Sequence, residues 1–130
     1  MENNIIIELP LPTIKQKGKI NILSMNVYRN AYFRDLNKAK KQYSEIVQYK
    51  LIQYRRNHFK QVSVHFTLFN KTKRRRDLSN FCTVVDKFVL DTMVKMKIIE
   101  DDDCFTVPNI EYKFGGVSED KIIVEIRGIK

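Results

Sequence analysis

Residues 60–96 read KQVSVHFTLFNKTKRRRDLSNFCTVVDKFVLDTMVKM, and this stretch decides the architecture. Its first part alternates Val62, Val64, Phe66 and Leu68 with Ser63, His65, Thr67 and Phe69. A period of two with one apolar side predicts a strand. Its last part repeats Phe81, Val84, Val85, Phe88, Val89, Met93 and Met96 at steps of three and four, which predicts a helix from Ser79 to Met96. The β-branched residues lower intrinsic helix propensity, but burial of the apolar stripe overrides that. Between strand and helix lies KTKRRR, five cations in six residues, stopped by Asp77.

Upstream, IIIELPLP suits a strand that ends in an extended proline turn. A weaker strand signal follows at Ile20–Leu23. From Val27 to Arg55, Tyr32, Leu36, Ala39, Tyr43, Ile46, Val47, Leu51 and Tyr54 form one amphipathic face, which predicts a single long helix. Downstream, FTVPNIEYKF, GGVSED and KIIVEIRGI predict two strands joined as a hairpin with a long loop. The order β-β-α-β-α-β-β implies one small α/β (α+β) domain over residues 1–130, with a mixed sheet and two main helices. No repeat, low-complexity tract or long linker divides it.

The composition restricts the partner. The chain has 130 residues, 43% of them hydrophobic, with 24 Lys and Arg against 15 Asp and Glu and a formal charge of +9. That excess favours a polyanion, nucleic acid before an anionic membrane. No apolar run reaches the roughly 18 residues of a transmembrane helix, and the N-terminus lacks the layout of a secretory signal, so a cytoplasmic protein is expected. Cys82 and Cys104 have no metal-ligand spacing and read as reduced thiols.

A pure polyanion binder gains nothing from carboxylates inside its basic surface, yet this chain has several. Thr83, Asp86, Lys87 and Leu90 share one face of the second helix, so Asp86 and Lys87 are expected where that helix leaves the core. Asp77 falls at the helix start, and Asp101, Asp102 and Asp103 follow its end. If a sheet edge gathered these carboxylates, the pocket would suit Mg²⁺, which binds through one or two carboxylates plus substrate phosphate. Such an ion would polarise a phosphodiester, and Lys87 would neutralise charge on the reacting phosphate. Each residue also has a plainer reading. Asp77 serves a helix start by capping or by its charge. Asp86 beside Lys87 serves a solvated helix face, the acidic triple serves a turn, and the basic run serves a solvated loop. His65 reads first as an ordinary strand residue and second as a phosphate contact.

The stretch RRRDLSNFCTVVDKFVLD, followed by IIEDDD and a strand, resembles the RusA family of Holliday-junction resolvases, small endonucleases carried mostly by phages and prophages. The family pattern is an Arg-rich loop, then Asp-Leu-Asp-Asn, then a helix with a lysine and an aspartate, then paired aspartates. Here Arg74, Arg75 and Arg76 match the loop, and Asp77, Leu78, Ser79 and Asn80 match the second element. Lys87 with Asp91 matches the helix, and Asp101 with Asp102 matches the pair. LSMNVYRNAYFRDLNKAKKQY looks like the family's first helical region, so the resemblance spans most of the chain. Two departures stand out: Ser79 replaces a carboxylate, and the lysine arrives one helical turn late. Asp86 would then supply the missing carboxylate. The resemblance implies a homodimeric endonuclease that resolves four-way or branched DNA by paired nicks, dependent on Mg²⁺ with Mn²⁺ as an alternative. It implies a catalytic set of Asp77, Asp86, Lys87 and Asp102, with Asp77, Asp86, Asp101 and Asp102 on the metal. Lys71, Lys73, Arg74, Arg75 and Arg76 would contact DNA. A non-catalytic nucleic-acid-binding or regulatory protein on the same scaffold is the alternative.

Overall fold

In the computed structural model, which describes residues 3–129, the alternating stretch forms the central strand β4, Val62–Asn70. Val62, Val64, Phe66 and Leu68 are buried, as the two-residue period requires. The flanking strands are β1 (Asn4–Pro10), β5 (Asn109–Val117) and β6 (Lys121–Gly128), and the sheet order is β1-β6-β4-β5. β1 and β4 both run antiparallel to β6, whereas β5 runs parallel to β4, so the sheet is mixed. Ile5, Ile7 and Leu9 of β1 and Ile122, Val124 and Ile126 of β6 complete the buried face.

Two helices pack on that side. Helix α2, Phe33–Leu51, buries Ala39, Tyr43, Val47 and Leu51. Helix α3, Leu78–Lys95, follows the basic loop and buries Val84, Val85, Phe88, Val89 and Met93. The expected bounds of α3 differ from these by one residue at each end. α2 meets α3, β1 and the small hairpin β2 (Thr13–Gln16) and β3 (Lys19–Ile22). The weak Ile20–Leu23 signal is thus the second arm of a separate two-stranded sheet. No helix among the described residues is long and apolar enough to cross a membrane.

Two expectations need correction. The single helix over Val27–Arg55 is broken into α1 (Met25–Asn30) and α2, because Ala31 and Tyr32 are both extended. No proline or glycine causes the break. Ser24 caps α1 locally through the Val27 N–H, and the tertiary contact is Asn80 of α3, which accepts the Asn26 N–H at 3.1 Å and ties α1 to α3. The Asn30 side chain also donates to the Asn26 carbonyl at 2.9 Å and so takes part in closing the short helix. α1 therefore follows α3, while α2 turns away onto β1 and β2.

The second correction concerns the C-terminal strands. β5 and β6 do not form a hairpin, since β4 lies between them. The chain passes over the end of β4 within Val117–Lys121. Two strand spacings amount to about 10 Å, and four extended residues reach about 13 Å, so the crossing is nearly taut. It is pinned there: the Ser118 N–H donates to the Asn70 carbonyl at 2.7 Å, and Asp120 accepts the Lys71 N–H at 2.8 Å. Alternation in β5 and β6 could not reveal this, because both strands carry the same pattern whichever neighbour they pair with.

Candidate nucleic-acid interface and acidic pocket

The two ends of α3 carry different chemistry. At its N-terminal end the basic loop is shaped by two polar side chains. Asn70, buried at the end of β4, donates to the Arg74 carbonyl at 3.0 Å and accepts from Arg76 Nη1 at 3.2 Å. Asp120, from the crossing, pairs with the same Arg76 nitrogen at 2.9 Å. The Arg76 guanidinium also lies 5.2 Å from the centre of the Phe81 ring. Arg76 is thus built into the fold rather than offered to solvent. Partial burial works against the Asp120 charge, but the Lys71 N–H and Arg76 outweigh it and hold its carboxyl below the usual range. Lys71, Lys73, Arg74 and Arg75 remain exposed.

Asp77 belongs to this end. It occupies the N-cap position of α3, but its side chain makes no capping bond, and it lines a surface depression with Arg74, Arg75, Asn80 and Ser24. The capping reading therefore holds for its position and for the helix dipole, not for a side-chain bond.

Farther along α3 the balance reverses. Asp86 is half-buried, and its Oδ2 accepts from the Tyr112 hydroxyl of β5 at 2.6 Å. Tyr112 also packs edge-on against Phe66 at 5.6 Å and 75°. Burial pushes the Asp86 carboxyl above the usual carboxylate range; Tyr112 and Lys87 oppose this, and the charges of Asp102 and Asp91 add to it. Tyr112 is itself raised, first by burial and then by its bond to Asp86, while Cys82, buried beneath, is pushed up to about 12 by burial and by Asp86. Asp91 and Asp102 line a groove between α2 and α3 with Lys40, Lys41 and Lys95.

The acidic triple divides its work. Asp101 accepts the Asp102 N–H at 2.7 Å, and Asp103 accepts the Phe105 and Thr106 N–H groups at 3.0 and 2.8 Å. The Thr106 N–H is the main reason the Asp103 carboxyl is held low. Asp101 and Asp103 are turn residues, and Asp102 is the one that faces the groove.

The four carboxylates Asp77, Asp86, Asp101 and Asp102 are not gathered into one metal-holding group. Nine residue steps along α3 separate Asp77 from Asp86, about 13.5 Å along the axis. Among the described residues, no three of His, Cys, Asp and Glu form a group able to hold an ion. Asp86 feels the charge of Asp102, but Asp102 lines the α2–α3 groove and Asp86 does not. His65 lies on the opposite face of the sheet, between Ser63 at 2.7 Å and Glu111 at 2.6 Å.

Tyr112, Asn70 and Asp120 were missed by sequence reasoning, and Asp91, matched to the family's helix aspartate, was left out of the expected site. Tyr112 depends on β5 lying beside β4, and Asp120 on the crossing over β4. Asp91 had a usable signal, its place one turn after Lys87. No family model and no curated protein matches the chain.

Proposed function

We propose that this protein is a divalent-metal-dependent endonuclease acting on branched DNA, as its resemblance to the RusA family implies. One observation carries the reading: Asp86 is half-buried beside the charges of Asp102 and Asp91, with Lys87 as the opposing cation. Like charges held together at a protein surface favour a bound cation or proton, and such perturbed carboxylates concentrate at functional sites. Asp86 and Asp102 would hold Mg²⁺ or Mn²⁺, which when bound polarises the phosphodiester and lowers the pKa of an attacking water. Lys87, exposed next to Asp86, would offset charge developing on the phosphate. Lys71, Lys73, Arg74 and Arg75 would hold the DNA backbone. Paired nicks across a two-fold symmetric junction require two such sites, hence a homodimer working in the cytoplasm of a bacterial host.

The separation of Asp77 from Asp86 favours a second reading, a non-catalytic binder of branched nucleic acid on the same scaffold. Incubation with a synthetic four-way junction, with and without Mg²⁺, decides between them. Symmetric nicks that need Mg²⁺ support the endonuclease. A shifted complex with intact strands under both conditions supports the binder.

A further inference from the structure

Beside the basic loop, on the outer strand of the sheet, is a surface that neither reading assigns. Phe114 of β5 is 51% exposed and Val117 is 54% exposed, although both lie in a regular strand. They line a shallow groove with Lys73, Arg74, Arg75 and Leu78. No acidic residue lines it, unlike the α2–α3 groove, where Glu45, Asp91 and Asp102 match Lys40, Lys41 and Lys95. Among the described residues β5 pairs in the sheet with β4 alone, so its outer side carries no further strand. The β4–β5 register shifts directly after Phe114, between Leu68 and Phe69. Gly115 and Gly116 make the shift possible: a Cβ at Gly115 would lie 2.5 Å from the Phe69 ring, and Gly116 has φ +125°. A bulge at this point fixes the end of the strand that carries Phe114 against the loop.

We infer that Phe114 is a stacking platform for an unpaired nucleobase, with Lys73, Arg74 and Arg75 holding the adjoining phosphates. A cationic groove beside an exposed flat ring is the combination by which proteins bind single-stranded nucleic acid without reading sequence. An apolar protein segment would suit Phe114 and Val117, but it would cover three cations and offer them no counter-charge. A nucleotide strand supplies both the ring and the charge. Branched substrates with a flap, a gap or an opened branch point expose unpaired bases, which gives this surface a role in choosing structure over plain duplex. The inference rests on the nucleic-acid reading above, though not on cleavage.

The test measures fluorescence anisotropy in metal-free buffer, with a short labelled oligothymidine and an abasic oligonucleotide of equal length. The two carry the same phosphates, so their difference reports the bases. Wild type is expected to prefer oligothymidine by about fivefold or more, the size of one stacked base. Phe114→Ala and Phe114→Leu should lose that preference and keep the salt dependence; the leucine form preserves apolar bulk and guards against a folding artefact. Phe114→Trp, the sole tryptophan in a chain that has none, should keep the preference. Its emission should be quenched by oligothymidine and not by the abasic strand. Equal wild-type affinity for the two strands overturns the stacking site while leaving nucleic-acid binding intact. A preference that survives Phe114→Leu also overturns it. Failure to bind either strand also overturns the stacking site, and failure to shift the four-way junction as well removes the nucleic-acid reading itself.

Discussion

Arg76 at the N-terminal end of α3 and Asp86 at its middle are both partly buried charges, but only Arg76 has an ion-pair partner. In the basic loop, Arg76 meets Asp120 and Asn70, and both partners are fixed by the end of β4 and the crossing over it. Around Asp86 the neighbours Asp91 and Asp102 repeat its own sign, and burial adds to the cost of its charge. A loop that must present cations is best held by fixed, satisfied bonds. The contrast teaches that the cations and carboxylates of this chain are organised as two separate devices along one helix.

The largest expected effect tests that separation. Asp86→Asn and Asp102→Asn should each reduce junction nicking by more than tenfold and leave gel-shift affinity unchanged. Asp77→Asn, at the other end of α3, should cost much less. An equal loss in all three variants would mean that the two ends close into one site on DNA, and the comparison would fail.

A smaller effect concerns the loop. Replacing Arg74 and Arg75 with Ala should flatten the dependence of log affinity on log salt by up to about two counterion units. Arg76→Ala should change this slope little and instead lower the melting temperature, because its partners are internal. A slope change from Arg76→Ala as large as that from the other two would show that its ion pair opens to DNA.

Smaller again, Asp120→Ala should destabilise the protein by about 1 kcal/mol in urea unfolding at neutral pH. Its carboxyl is held below the usual range in the folded state, so the contribution is present above that range and fades as pH falls through the lowered value. The variant and wild type should therefore converge in acid. Asp86 has the opposite sign. Its folded carboxyl is raised, so stability is full below the usual carboxylate range and declines as pH rises through the elevated value. Metal-free Asp86→Asn should melt slightly higher than wild type at pH 8, and adding Mg²⁺ should narrow the gap by stabilising wild type alone. A lower melting point for Asp86→Asn would show that Tyr112 and Lys87 already compensate the charge.

Local patterns were legible and long-range pairings were not. The period of two in Val62–Leu68 and the three-four spacing in Phe81–Met93 identified β4 and α3 because each is buried on one face, and burial writes its period into the sequence. The break at Ala31–Tyr32 was hidden because its causes are Asn80 and the turn of α2 onto the sheet, which lie far away in sequence. The site followed the same rule. Asp86 and Lys87 stood out as charges beside an apolar stripe and Asp102 as one of an acidic triple, whereas Tyr112 reaches Asp86 only through the β4–β5 register. Asp101 and Asp102 looked equivalent in sequence. Backbone bonding in the turn separates them.

The crossing at Val117–Lys121 also bears on how the chain folds. β5 and β6 are neighbours in sequence, yet each pairs with β4, more than 40 residues upstream. Neither can form the sheet by local zipping, so loop closure must come before the pairing that rewards it, which slows folding. A chain interrupted before Asn109 would hold VSVHFTLFN with neither of its sheet partners in place. Bare strand edges of that composition pair readily with other copies. Fragments that lack the last two strands should therefore aggregate rather than fold into a smaller unit, and the final strand to be made, β6, is the one that joins β1 to the rest of the sheet.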